Sequence, residues 1–196
     1  MLVFQDMEIY QIADDLSEDE FFEFCVANRD LRIERDPDKK IIIMAPVGSE
    51  SGFYEGEAFG ELRSWNVTSS EGVTLSPSAG FKLPNGATRA ADATWISLER
   101  WEALTPEQKK KFLPITPDFA IEIRSETDKL KKLKAKMQEW IENGVRLAWL
   151  IDPIEQKTHI YRADGSIEIL EGFERELSGE GVLKGFIFDL RLLRLP

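Results

Sequence analysis

The sequence contains one cysteine and one histidine, and these shortages exclude several kinds of site. With Cys25 alone, the chain can form neither an internal disulfide nor a multi-cysteine zinc site, which suits a reducing cytoplasm. With His159 alone, it cannot hold a metal ion on two histidines. A Ser–His–Asp triad would also have to depend on that single residue.

Long apolar runs and positive charge are scarce as well. No stretch approaches the ~20 consecutive apolar residues that a membrane span needs. The segment MLVFQDMEIY lacks the basic region and apolar run of a secretory signal, so we expect a cytoplasmic protein without membrane contact. The net charge of −11 disfavours broad attraction to nucleic acid or anionic lipid, although lysines cluster locally between residues 129 and 136.

What the sequence does contain predicts one domain over residues 1–196. The chain is 42% hydrophobic, with five tryptophans and twelve phenylalanines, which is enough for one buried core. We find no repeat and no linker. Hydrophobic periodicity and turn residues predict the order of helices and strands. The first are a helix over SEDEFFEFCVANR capped by Ser17, two strands in LRIERDPDKKIIIMAP, a helix from Ser49, and strands in GVTLSPSAGFKL and GATRAADATWIS joined at Pro84-Asn85-Gly86. A helical insertion follows over SLERWEALTPEQKKKF, with Thr105 as N-cap and Pro106 at the first helical position. The last are a strand DFAIEIRS, a helix ended by Gly144, a strand VRLAWLID and a hairpin turning at Asp164-Gly165.

The main elements therefore run helix, three strands, helix, strand. The helical connection of about 17 residues from DFAIEIRS to VRLAWLID is long enough for a right-handed parallel crossover. We expect an α/β fold, an open mixed sheet with helices on both faces. Such sheets place their sites at the carboxyl ends of strands, which directs attention to Asp92 and Glu122.

Both of these acids interrupt apolar strands. Alternation in FAIEIRS puts Glu122 and Arg124 on one face and Ile121 and Ile123 on the other. A buried carboxylate is costly unless something compensates its charge. For Glu122 the compensation is either a side-by-side ion pair with Arg124 at a wet edge or a hard divalent cation. Asp92 presents the same anomaly in AADATWI.

Two stretches, RAADATWIS and LTPEQKKKFLPITPDFAIEIRSETDKLKKLKAKMQEWIENGVRLAWLIDP, resemble a large bacterial family described as putative restriction endonucleases. That family belongs to the PD-(D/E)XK nuclease superfamily. The resemblance covers the chain from about residue 33 to residue 193 and includes GVLKGFIFDLRLL. It implies a restriction-endonuclease-like core, which has the same helix, three strands, helix, strand order.

The resemblance also implies roles for individual residues. Asp92 matches the superfamily's motif aspartate, although Ala91 replaces the usual proline, and Glu122 matches the second acid. Arg124 stands where many of these nucleases have lysine, and arginine cannot act as a base. Lys136, on the following helix, matches a recurrent basic position of the family. Glu50 matches an acid that completes the site, with a contact to the helix N-terminus as the equal alternative.

The implied activity is hydrolysis of phosphodiester bonds, with DNA as the substrate and a homodimer as the assembly. Asp92, Glu122 and the Ile123 carbonyl would hold Mg²⁺ or Mn²⁺, while Lys136 and Arg124 neutralise charge on the phosphate. We expect Lys136 to lie close to both acids and to lower their pKa values. Two other functions stay open: a non-catalytic interaction or defence-associated protein with a relic site, and a hydrolase of a small phosphorylated molecule.

Overall fold

The computed structural model describes residues 16–195. The segment in which we found no secretory signal therefore lies outside the described residues. Within the described range the helices are α1 (Glu18–Ala27), α2 (Ser49–Ser69), α3 (Leu98–Glu102) and α4 (Leu130–Glu142), with 3₁₀ turns at Gln108–Lys110 and Leu190–Leu193. The strands are β1 (Arg32–Arg35), β2 (Ile41–Met44), β3 (Gly72–Leu75), β4 (Phe81–Lys82), β5 (Thr88–Arg89), β6 (Ala93–Ser97), β7 (Phe119–Ile123), β8 (Leu147–Asp152), β9 (Lys157–Arg162), β10 (Ile167–Glu171), β11 (Glu176–Ser178) and β12 (Ile187–Asp189).

The largest sheet has the strand order β10-β9-β8-β7-β6-β3. Its one parallel pair is β7 with β8, joined through α4, and the other neighbouring strands are antiparallel. The elements α2, β3, β6, β7, α4 and β8 reproduce the predicted order of helix, three strands, helix, strand. The predicted α/β class and the mixed sheet flanked by helices are thus confirmed.

Apolar side chains pack on both faces of this sheet. One cluster includes Phe119 and Ile121 of β7 with Ala58 and Leu62 of α2. The other includes Ala120 of β7 with the buried face of α4. This division follows from the alternation of side chains along β7, which sends successive residues to opposite faces. The sheet is therefore covered by α2 on one side and α4 on the other.

A second, smaller sheet has the order β2-β1-β5-β4 and holds the hairpin β1–β2 against the chain that leads into β6. The turn at residues 84–86 joins β4 to β5 within this sheet, so the two long strands predicted around it are wrong. Gly86 takes the positive φ of 91° that this turn requires. The chain there is divided into short strands because it crosses between two sheets.

The helix predicted to begin at Thr105 and Pro106 is also wrong in extent. Thr105 does make a reciprocal cap with Gln108: its Oγ1 accepts the Gln108 N–H at 3.2 Å, and its own N–H donates to Gln108 Oε1 at 2.8 Å. The segment that follows is only the 3₁₀ turn Gln108–Lys110. The reason is the tether at Leu113, whose backbone exchanges hydrogen bonds with Gly80 at 2.9 Å and Lys82 at 2.8 Å. Lys111 is already extended, with φ −118° and ψ −173°, so the chain leaves the helical conformation two residues before Leu113.

We predict that Phe186→Ala strongly destabilises the fold. Phe186 is 1% exposed, and its ring stacks on Trp149 with 5.7 Å between centroids. Its loss leaves a cavity, so the free energy of unfolding should fall by about 3–5 kcal/mol, measured by urea denaturation. Ile169→Ala, at a side chain that is 53% exposed, is the control and should change stability by less than about 0.5 kcal/mol. Equal effects for the two variants would contradict this account.

Candidate active site

The two acids singled out in the sequence meet at one end of the large sheet. Asp92 directly precedes β6, and its backbone N–H donates to the Ile121 carbonyl at 3.0 Å. Because Ala93 pairs with Ile121 in the antiparallel register, Asp92 comes beside Glu122. Both side chains are buried and both line one cleft of about 700 Å³. They therefore share a site and do not lie on opposite faces of the sheet.

Both carboxylate oxygens of Asp92 accept hydrogen bonds. Oδ2 accepts the backbone N–H of Ile123 at 2.7 Å, and Oδ1 accepts Nη2 of Arg32 at 2.8 Å. Arg32 comes from β1, and its Nη1 lies 3.7 Å from Oε1 of Glu55 on α2. Asp92 is thus positioned by the backbone of β7 and neutralised by Arg32, which belongs to the small sheet.

Glu122 is held by two donors from α4. Nζ of Lys136 lies 2.8 Å from its Oε1, and the indole Nε1 of Trp140 donates to the same oxygen at 2.9 Å. These residues are four apart, so they stand one above the other on the same helical face. Lys136 also donates to Oε1 of Glu34 at 2.8 Å and to the Ala90 carbonyl at 3.0 Å. Lys136 therefore lies within hydrogen-bonding distance of Glu122, as the family pattern suggested.

Lys136 does lower the pKa of Glu122, as expected, but the net pKa of this carboxyl is raised. Burial is the largest influence, and together with the charges of Asp92 and Glu34 it outweighs Lys136 and raises the pKa of Glu122 to about 7. Burial would also raise the pKa of Glu34, but Lys136 and Arg89 outweigh it, so the pKa of Glu34 is lowered. Lys136 shares its charge between the two acids, and Glu34 has Arg89 as a second cation.

Glu55 is the second acid whose pKa is raised. Burial and the nearby charge of Asp92 bring the pKa of Glu55 to about 7, although Arg32 works in the opposite direction. The cleft is also lined by more acidic than basic side chains: Glu50, Glu55, Asp92, Glu122, Glu126 and Asp128 against Arg32, Arg124 and Lys136. Oxygen donors with surplus negative charge suit a hard divalent cation.

The described part of the chain nevertheless contains no group of three or more histidine, cysteine, aspartate or glutamate side chains arranged to hold a metal ion. A cation on Asp92 and Glu122 would thus depend on a backbone carbonyl, water or substrate oxygens, which Mg²⁺ commonly retains. Ile123 lines the cleft beside both acids.

Arg124 and Glu50 also line the cleft but are placed differently from Lys136. Nη1 of Arg124 pairs with Asp152 at 2.8 Å and lies 3.6 Å from Glu155. The ion pair of Glu122 with Arg124, one of the two alternatives left open by the sequence, is therefore not what the fold contains. Arg124 pairs with Asp152, and Glu122 pairs with Lys136. Glu50 is exposed in the first turn of α2, where the helix N-terminus favours an acid.

Sequence reasoning missed Arg32, Glu34, Glu55 and Trp140. A weak signal existed for the first two, because alternation in the strand RIER places Arg32 and Glu34 on the same face. Trp140 was assigned only to the core, yet its buried indole N–H required a partner. Glu55 lies on a helix that also carries other glutamates, so nothing in its spacing distinguished it.

Comparison with known proteins agrees with this architecture. The Uma2 family model, described as "Putative restriction endonuclease", matches residues 18–191. A putative nuclease belonging to DUF820 from Anabaena variabilis ATCC 29413, solved by crystallography, superposes with a TM-score of 0.69 at 18% identity, over 82% of this chain and 88% of that one. No curated protein gives a significant match. With a family model matching nearly its whole described length, the chain belongs to the Uma2 family of putative restriction endonucleases.

Proposed function

We propose that this protein hydrolyses phosphodiester bonds in DNA with Mg²⁺ or Mn²⁺ bound at Asp92 and Glu122. The observation that carries the proposal is the pair of buried carboxylates beside each other in one cleft, with Lys136 Nζ 2.8 Å from Glu122. Family membership supports a nuclease. The substrate, the metal ion and the residue roles are our inference.

Asp92, Glu122 and the Ile123 carbonyl would hold the cation, with Glu50 at the edge of the cleft as a further candidate ligand. A bound divalent ion supplies polarisation of a phosphoryl oxygen and a bound water of lowered pKa. Asp92 is oriented for this task by the Ile123 N–H, and Glu122 by the indole of Trp140. Preorganised ligands of this kind reduce the reorganisation needed at the reaction step.

Lys136 would neutralise the charge that develops on the phosphate and orient the attacking water. Burial would lower the pKa of Lys136, but Glu122 and Glu34 together raise it above its ordinary value. The ammonium is therefore protonated at neutral pH and acts as a fixed positive charge, not as a base. Arg124 adds a second positive charge to the cleft, held in place by Asp152.

Two other functions retain support from particular observations. The pairing of Arg32 with Asp92 and the net charge of −11 favour a non-catalytic interaction or defence-associated protein with a relic site. The cleft volume of about 700 Å³ falls in the range of small-molecule sites, which favours a hydrolase of a small phosphorylated molecule. Cleavage assays on DNA, RNA and small phosphodiesters separate these possibilities.

Localisation and assembly stay predictions from the sequence. Across residues 16–195, no helix has the length and apolar character that a membrane crossing requires. Cytoplasmic localisation and the homodimer therefore stay predictions. We propose the dimer because a nuclease of this type pairs two sites to cut two strands.

The first prediction from the proposed function concerns cleavage. Asp92→Asn removes a ligand charge while keeping the shape of the side chain, so Mg²⁺-dependent nicking of plasmid DNA should fall by about 100-fold or more. Asp164→Asn, in the exposed turn between β9 and β10, is the matched control and should cleave like the wild type. Wild-type protein without activity on DNA, with either Mg²⁺ or Mn²⁺, would contradict the proposed activity.

The second prediction concerns metal-dependent stability. Mg²⁺ or Mn²⁺ at millimolar concentration should raise the melting temperature of the wild type by about 5 °C, because a bound cation relieves the surplus negative charge. Ca²⁺ should stabilise the protein without supporting cleavage. Glu122→Gln should stay folded but lose the effect of all three ions. If none of the three ions changes the melting temperature of the wild type, the non-catalytic protein with a relic site is favoured.

The third prediction concerns pH. The pKa of Glu122 is about 7 in the folded protein, against an ordinary value of 4.5. Below pH 4.5 the carboxyl is protonated in both the folded and the unfolded state and does not change the free energy of unfolding. Above pH 7 it is ionised in both states, and because burial disfavours the ionised form it lowers the free energy of unfolding. Glu122→Gln should therefore be more stable than wild type by about 1–3 kcal/mol at pH 8, with the difference shrinking as the pH falls through this window.

Urea unfolding in buffer containing a chelator measures this difference. Glu171→Gln, on the exposed strand β10, is the control and should not change the pH profile. A Glu122→Gln variant that is less stable than wild type at pH 8 would show that the ionised carboxylate stabilises the fold.

A further inference from the structure

Arg32 lies at the boundary between two cavities. It lines the cleft that contains Asp92 and Glu122, and it also lines an adjoining cavity of about 670 Å³ that shares Met44 and Glu55 with the cleft. Its side chain is 25% exposed. The guanidinium is therefore largely enclosed, but it is not sealed in the core.

The guanidinium has two carboxylates within reach, at unequal distances. Nη2 lies 2.8 Å from Oδ1 of Asp92, a full charge-assisted hydrogen bond. Nη1 lies 3.7 Å from Oε1 of Glu55, which is an ion pair but too long for a hydrogen bond. A shift of about 1 Å by a long, flexible side chain would convert this second contact into a hydrogen bond.

The contact with Asp92 occupies the oxygen that a metal ion would need. Oδ2 is already taken by the Ile123 N–H at 2.7 Å, so Oδ1 is the oxygen with an exchangeable partner. A divalent cation binds a carboxylate oxygen at about 2.0–2.6 Å. Two positive groups at that spacing on one oxygen repel each other strongly, because the site is sheltered from water.

We propose that Arg32 is an exchangeable counterion, which neutralises Asp92 and transfers to Glu55 when a divalent cation binds Asp92. The inference rests on the proposed metal site and adds that Arg32 competes with the cation for Asp92. Arg32 lowers the apparent affinity for the cation, because the cation must displace it. Glu55 reduces that penalty by receiving the displaced guanidinium. Both residues thus set the cation concentration at which the site is filled, without being ligands.

Calorimetric titration of the full chain with MnCl₂ tests the exchange without any cleavage assay. Arg32→Gln removes the competitor and should bind Mn²⁺ about tenfold more tightly than wild type. Loss of one positive charge would by itself favour a cation. Arg124→Gln is therefore the matched control, because it removes the same charge from the same cleft, where it pairs with Asp152. That control should change the affinity by about threefold at most.

Glu55→Gln tests the receiving position. In the wild-type background this substitution should weaken Mn²⁺ binding, because displaced Arg32 loses its partner. In the Arg32→Gln background the same substitution should have a clearly smaller effect, because there is no guanidinium to receive. A double-mutant cycle measures this coupling directly. Equal effects of Glu55→Gln in both backgrounds would overturn the transfer and would indicate that Glu55 acts on the cation itself.

The outcomes separate this inference from the proposed function. If wild type binds Mn²⁺ and Arg32→Gln binds no more tightly than Arg124→Gln, the exchange is wrong and the metal site stands. If Arg32→Gln binds Mn²⁺ and wild type does not, the exchange is supported in its strongest form. If neither binds, both proposals fail. Arg32→Lys keeps the charge and replaces Arg32→Gln if that variant does not fold; its affinity should rise by a smaller factor.

Discussion

One buried ammonium group connects the three parts of the molecule that form the site. Lys136 belongs to α4, and its Nζ lies 2.8 Å from Glu122 of β7 and 2.8 Å from Glu34 of β1. The helix, the large sheet and the small sheet thus meet at a single positive charge. Removing that charge would leave two buried carboxylates without their common partner, a change that commonly costs several kcal/mol. The placement of Glu34 and Glu122 relative to each other depends on this junction.

The same junction explains why the acids of the cleft differ. Glu34 receives Lys136, Arg89 and the Ala90 N–H, so its negative charge is well compensated. Burial, with the charges of Asp92 and Glu34, raises the pKa of Glu122 to about 7, because its one cation, Lys136, is shared with Glu34 and cannot offset them. Of these two glutamates, Glu34 serves as structure because its charge is compensated, whereas Glu122 is available to a cation. The distribution of partners, not the kind of residue, therefore separates scaffold from candidate ligand.

Much of the fold could be predicted from the sequence because its signals are local. Alternation in FAIEIRS and helical spacing through Trp140 identify β7 and α4, and their connection implies a parallel neighbour. Asp92 and Glu122 stood out as charged residues within apolar strands. Arg32 could not be found in this way, since its partner Asp92 is 60 residues away. The helix expected after Thr105 failed for a related reason: the distant backbone of Gly80 and Lys82 fixes where that segment ends.

The order in which the chain is synthesised gives the junction at Lys136 a further consequence. Glu34 and Lys136 are separated by 102 residues, and Trp140 is later still. At about 5–20 residues per second, the ribosome makes the hairpin about 5–20 s before the lysine. During that interval a nascent chain holds Glu34 without the ammonium that positions it against Glu122. The carboxylates of the cleft are thus assembled only after α4 has been made, and a truncated product ending before α4 would carry the acids without Lys136 and Trp140 to hold Glu122 in place.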